Sequence, residues 1–218
     1  MTEKPIEIAP NDPINASVIW LHGLGADGND FVPVVKMLNL PHVRFILPHA
    51  PYRKVTRNNG YEMRAWYDVY GLTPISREDA IGIKESQLQI EQLIAQEISR
   101  GIPTERIVLA GFSQGGAIAL HTALRYTEKL AGVLALSTYL PLRDSLATEK
   151  TDVNQQTPIF MALGSDDAVI SLETCQASLN LLQAQNYRID WHEYAMEHSL
   201  CAQEIEDIKQ FLLSILKG

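Results

Sequence analysis

A serine between glycines, Gly111-Phe112-Ser113-Gln114-Gly115, follows the apolar run 106–110 and precedes a small-residue helical pattern that starts at Gly116. Strand, Gly-x-Ser-x-Gly and helix form the layout that lifts a serine onto a tight turn above the C-terminal edge of a parallel sheet. The turn is strained, and a β-carbon at either flanking position would meet the strand or helix it joins. A serine held this way can attack a carbonyl once a base takes its proton and donors receive the oxyanion.

The base is sought among six histidines: His22, His42, His49, His121, His192 and His198. On such a turn the partners follow in the order serine, carboxylate, histidine, which removes the first three. His121 lies on the helix after the serine and His192 in the middle of a strand pattern. His198 lies between the last strand and the last helix and is the candidate base. The carboxylate belongs after the strand ending at Leu163, where Gly164-Ser165-Asp166-Asp167 offers two candidates. Ser171 can cap the next helix, which frees one of the pair to orient the imidazole. Position alone does not choose between Asp166 and Asp167. For the oxyanion, the Gln114 main-chain N–H follows the nucleophile. The early loop His22-Gly23-Leu24-Gly25 supplies Leu24 N–H as the second donor.

A different chemistry competes for that early loop. Gly23-Leu24-Gly25-Ala26-Asp27-Gly28 matches the dinucleotide-binding spacing of a glycine-rich turn after a strand. Against it, Asp27 and Asp30 set negative charge where a pyrophosphate would lie. The second strand ends without a carboxylate for a ribose, and the serine turn would go unexplained.

These residues need a scaffold, and the periodicities provide one. Strand patterns at 17–21, 43–47, 106–110, 131–136, 158–163 and 188–194 alternate with helical ones. The helical patterns are a short one over 30–38 and a long one with a stripe at Ala80, Ile83, Ile90, Ile94 and Ile98. Another runs from the serine turn to about Tyr126, and two more carry stripes at Leu172, Cys175, Leu179, Leu182 and at Ile205, Ile208, Leu212, Ile215. Ser76 with Asp79 reads as a capping box for the long helix. Continuous apolar strands separated by helices predict an α/β fold, a mostly parallel sheet covered on both faces. With no linker or repeat, residues 1–218 read as one domain. The stretch 49–75 has no clean period. Its Trp66, Tyr67 and Leu72, with Tyr139 opposite, are candidate walls of a substrate groove, or else simply cover the sheet edge. There is no room for a large cap domain.

Composition narrows the partners. Eighteen basic against 26 acidic residues give a net charge of −8, which disfavours nucleic acid and anionic membranes. Cys175 and Cys201 form no metal-ligand spacing and read as structural thiols in a reducing compartment. No apolar run reaches 18 residues and the N-terminus has no signal core, so a cytoplasmic protein is expected.

Taken together, 21–28 (Leu-His-Gly-Leu-Gly-Ala-Asp-Gly), 64–68 (Arg-Ala-Trp-Tyr-Asp), 111–116, the Gly164-x-x-Asp167 turn and 194–199 (Tyr-Ala-Met-Glu-His-Ser) resemble the small carboxylesterase and acyl-protein thioesterase (lysophospholipase-like) family of α/β-hydrolases. The likeness covers nearly the whole chain with its motifs in order. It implies Asp167 as the triad carboxylate, with Asp166 as runner-up, and Leu24 and Gln114 as oxyanion donors. It also implies hydrolysis of carboxylic esters with short to medium acyl chains, or of acyl thioesters, on small, lipid-like or acylated-protein substrates. Neither cofactor nor metal is required. Two positions depart from the family pattern: Leu163 where histidine is usual and Ala195 where glycine is usual. A catalytically silent binding module is the remaining alternative, and a homodimer through the apolar edge of the 49–75 segment is left open.

Overall fold

The computed structural model describes residues 3–10, 13–73 and 76–217. Ile75, at the end of the irregular stretch, and Met1 and Thr2, at the start of the chain, lie outside the described residues. Nine strands are described: β1 (Ile6–Ile8), β2 (Ala16–Leu21), β3 (Val43–Leu47), β4 (Tyr52–Val55), β5 (Tyr61–Arg64), β6 (Ile107–Phe112), β7 (Gly132–Leu136), β8 (Ile159–Gly164) and β9 (Ile189–Tyr194). The helices are α1 (Val32–Leu38), α2 (Ala80–Ser99), α3 (Gln114–Arg125), α4 (Leu146–Glu149), α5 (Leu172–Ala184) and α6 (Ala202–Ile215).

Seven strands form one sheet in the order β1-β3-β2-β6-β7-β8-β9, parallel except for β1, which runs antiparallel to β3. Successive side chains of each central strand enter different cores. Ile19, Leu21, Leu109, Met161 and Leu163 pack with α2, α3 and α5. Val18, Trp20, Val108, Ala110, Phe160 and Ala162 pack with α1 and α6. Burial on both faces is why these strands read as unbroken apolar runs. Helix α3 is buried along its whole length, and its alanines and glycines let it lie close to the sheet.

Three expectations need correction. The cap of α2 is Asp79, whose carboxylate accepts the Gly82 N–H, and not Ser76, which bonds to Thr73. Ala80 and Ile98 of the α2 stripe are exposed, as is Leu172 on α5. The buried face of α2 instead takes Ser86 and Glu97, and Glu97 accepts hydrogen bonds from Ser17, Arg44 and Arg100. Polar side chains can line a buried stripe when each finds a partner. Finally, the stretch 49–75 is not wholly irregular: β4 and β5 form an antiparallel hairpin, with Asn59 and Gly60 both at positive φ in the turn.

Candidate active site

The parallel strands end at one edge of the sheet, and each delivers a loop there. After β6 the chain turns sharply at Ser113, which has φ 54° and ψ −121°, a backbone that few L-residues adopt. The turn is held by Ser113 N–H donating to Leu136 O at 2.8 Å and by Thr138 Oγ1 donating to Ser113 O at 2.6 Å. A β-carbon on Gly115 would overlap the Leu21 and His22 carbonyls, so α3 can start this close to β2 only with glycine there.

Three side chains from separate loops meet. His198, after β9, receives the Ser113 hydroxyl at Nε2, 2.9 Å away, and donates Nδ1–H to Asp167 Oδ2 at 2.7 Å. Asp167 Oδ1 accepts the Val169 and Ile170 N–H groups, each at 2.8 Å. Asp166 points elsewhere: among the described residues its side chain accepts only the Ser165 hydroxyl, and its main-chain N–H donates to Met196 O. Phe112 packs on the His198 ring with centroids 4.7 Å apart. Ser113 keeps 8% of its surface exposed.

Neither Leu24 N–H nor Gln114 N–H has a hydrogen-bond acceptor among the described residues. Both are free to receive an anion, and Gln114 N–H adds the positive end of the α3 dipole. The Leu24 loop is braced from several sides. Gly25 N–H donates to Arg64 O at 2.8 Å, and the Trp66 indole N–H donates to His22 O at 2.9 Å. The His22 ring donates Nδ1–H to Gly23 O and accepts the Ala50 N–H at Nε2. Burial holds its pKa down at about 4, against the pull of the Gly23 carbonyl, so the ring stays neutral and serves as a two-sided brace.

The expected groove walls behave differently from one another. Trp66 and Tyr67 are only 1% and 3% exposed and belong to the core over α2 and α3, leaving little of either for a ligand. Tyr67 Oη and Tyr139 Oη are hydrogen-bonded at 2.9 Å. Tyr139 and Leu72 are half-buried and share a small polar cavity with Glu78, Arg143 and Thr174. The most exposed aromatics of the segment are Tyr52 and Tyr61, on the hairpin at 63% and 70%.

Both departures from the family pattern are accommodated. Leu163 sits in the core, and Ala195 is not among the residues at positive φ, so its methyl imposes no backbone strain. The Gly23–Gly28 stretch closes onto the protein itself. Asp27 accepts the Asn29 N–H to cap a short 3-10 turn over Gly28–Phe31, and the helix that follows has seven residues. Cys175 is buried, its thiol pushed up to about 12 chiefly by burial, and Cys201 caps the N-terminus of α6. Neither Thr138 nor the Gln114 carboxamide leaves a signal in the sequence, because neither role depends on spacing to another motif residue.

A mostly parallel sheet with helices on both faces, a serine at a strained strand-to-helix turn and no large cap domain define an α/β-hydrolase. The chain belongs to the phospholipase/carboxylesterase family, whose profile matches residues 3–216. It is 39% identical to acyl-protein thioesterase 1 of Cryptococcus neoformans over 98% of both chains. It is 40% identical to the Neurospora crassa protein of the same name, over 90% of this chain and 85% of that one. Among solved structures, Zea mays acyl-protein thioesterase 2 superposes with a TM-score of 0.88 at 25% identity, covering 98% and 99% of the two chains. Arabidopsis thaliana SOBER1 gives 0.88 at 30% identity, over 93% of this chain and 99% of its own. Among the described residues no helix is long and apolar enough to cross a membrane.

Proposed function

We propose that this hydrolase cleaves carboxylic esters or acyl thioesters through a covalent acyl-enzyme, in a single α/β-hydrolase domain. The observation that carries this reading is the His198 imidazole bonded at one nitrogen to Ser113 and at the other to Asp167. Ser113 Oγ attacks the acyl carbonyl as its proton passes to His198 Nε2. Asp167 holds the ring in the tautomer that can accept that proton and stabilises the imidazolium. The Leu24 and Gln114 N–H groups receive the oxyanion. Collapse expels the leaving group, protonated by His198, and water repeats the sequence to release the acid. A thiolate leaving group needs less help from the acid than an alkoxide, so one triad serves both substrates. The thioesterase names of the relatives favour acylated proteins or lipid-like molecules beside small esters with short to medium acyl chains.

The test is labelling with a fluorophosphonate probe together with turnover of p-nitrophenyl esters of graded length and of an acyl thioester. Labelling confined to Ser113 and turnover lowered ~10⁶-fold in Ser113→Ala and in His198→Ala are expected, the scale being that of serine-protease triads. Turnover that survives Ser113→Ala would sink the reading.

A further inference from the structure

The side chain of Gln114 is a separate matter from its main-chain N–H. Its carboxamide is buried and makes two bonds to one segment: Oε1 accepts Trp66 N–H at 2.8 Å and Nε2 donates to Tyr67 O at 2.7 Å. An amide paired this way to consecutive residues acts as a rigid staple, because losing either bond leaves a buried polar group unmatched. The stapled segment is the one that braces the Leu24 loop. Arg64 O accepts Gly25 N–H, and the Trp66 indole donates to His22 O, the residue before Gly23. Arg64 is also tied down, donating from Nη1 to Ala50 O at 2.9 Å, while Ala50 N–H donates to the His22 ring. On the far side, Ser86 Oγ donates to Trp66 O.

We propose that the Gln114 carboxamide is a positioning residue that sets the distance between the two oxyanion donors. One donor is the Gln114 main chain itself. The other, Leu24 N–H, is reached from the carboxamide through Trp66 and Arg64. The residue that supplies half of the hole therefore also fixes where the other half stands. This rests on the assignment of Ser113 as nucleophile, and the substitution tests it cleanly because the main-chain donor survives any change of side chain.

The experiment compares the wild-type protein with Gln114→Met, similar in shape but without the amide, and with Trp66→Phe, which removes the indole link while keeping the main-chain bonds of residue 66. Each is assayed for kcat and KM on a p-nitrophenyl ester and for amide hydrogen exchange in peptides spanning 22–26 and 64–68. For Gln114→Met the expected result is a kcat about 10- to 100-fold lower with KM changed less than about twofold, since the loss falls on the transition state. Exchange should quicken in both segments. For Trp66→Phe, exchange should quicken at 22–26 alone, with a smaller fall in kcat. An unchanged kcat in Gln114→Met, or a lowered kcat with 22–26 exchanging as in wild type, overturns the proposal. Should Gln114→Met fail to fold, Gln114→Glu, which keeps an acceptor for Trp66 N–H but loses the donor to Tyr67 O, is judged by the same criteria. If the wild-type protein turns over neither ester nor thioester and Ser113 takes no fluorophosphonate label, the nucleophile assignment falls, and the exchange pattern still upholds or refutes the mechanical link.

Discussion

Asp167 divides its carboxylate between the His198 ring and its own loop. Oδ2 takes the Nδ1–H at 2.7 Å, while Oδ1 takes the Val169 and Ile170 N–H groups. The second set of bonds fixes which oxygen faces the ring. The ring therefore meets a carboxylate that cannot rotate without giving up two amides.

This geometry sets the outcome of Asp167→Asn. The amide oxygen stays on Val169 and Ile170, so the NH₂ group faces His198. The ring must then turn its lone pair to Nδ1 and carry its proton on Nε2, where it can no longer accept from Ser113. Ester turnover should fall by ~10⁴, as with the analogous change in serine proteases, with the urea midpoint only modestly changed. Asp166→Asn should keep turnover within about threefold of wild type, since its side chain is hydrogen-bonded to the Ser165 hydroxyl and not to His198. The reverse ranking of the two variants would reassign the carboxylate.

That pair also marks the limit of legibility in the sequence. Both aspartates sit in one turn after β8, and spacing cannot say which one faces inward; only the family likeness favoured Asp167. The strands and their order along the chain were legible because burial on both faces leaves runs such as 107–111 without polar interruption. Strand β1 was not, since three residues flanked by Pro5 and Pro10 carry no measurable period. The hairpin of β4 and β5 did leave a signal, Asn59-Gly60, the dipeptide that favours a tight turn with positive φ. It was masked by strands of only four residues with exposed tyrosines. For Trp66 and Tyr67 the sequence leaves groove wall and sheet-edge cover both open, because aromatic residues in a long loop suit either role. What buries them is α2 and the Gln114 carboxamide, partners far away in sequence.

The loop carrying His198 is seated on Gly164. A β-carbon there would overlap the carbonyl oxygens of Met196 and Glu197, which approach the end of β8 directly. Next to it, Ser165 N–H donates to Tyr194 O at 2.8 Å and Asp166 N–H to Met196 O at 3.1 Å. Gly164→Ala must push this loop outward and carry the imidazole away from Ser113. A displacement on the order of 1 Å costs about 10²-fold in rate. We expect kcat/KM for an ester to drop by about 10- to 100-fold and fluorophosphonate labelling of Ser113 to slow in parallel. The cost in stability should be about 1–3 kcal/mol, the usual penalty for overpacking. Wild-type kinetics in this variant would show that the loop can yield without moving His198.

The last prediction concerns pH and stability. Glu204, in the first turn of α6, is fully buried, and neither of its carboxyl oxygens has a side-chain partner among the described residues. Burial pushes its pKa up to about 8, with the Cys201 main-chain N–H pulling the other way and Asp207 adding to the rise. The unfolded chain gives up this proton near 4.5, whereas the native state keeps it to about 8. Between those limits the native state binds more protons, so stability falls as pH rises, and the loss is complete above about pH 8. Two buried imidazoles act in the opposite direction. Burial holds His22 at about 4 and His121 at about 3, so each withdraws stability as pH falls below the ordinary 6.5. The net profile of the wild-type protein thus mixes opposing slopes, and a variant is needed to separate them. Glu204→Gln removes one proton site and leaves both imidazoles in place. Urea unfolding of the two proteins at pH 5 and pH 8 should show the glutamine variant gaining on wild type by about 3 kcal/mol across that interval. A difference that stays flat from pH 5 to pH 8 would mean that Glu204 is already ionised in the native state, and α6 would then need a compensating partner for its charge.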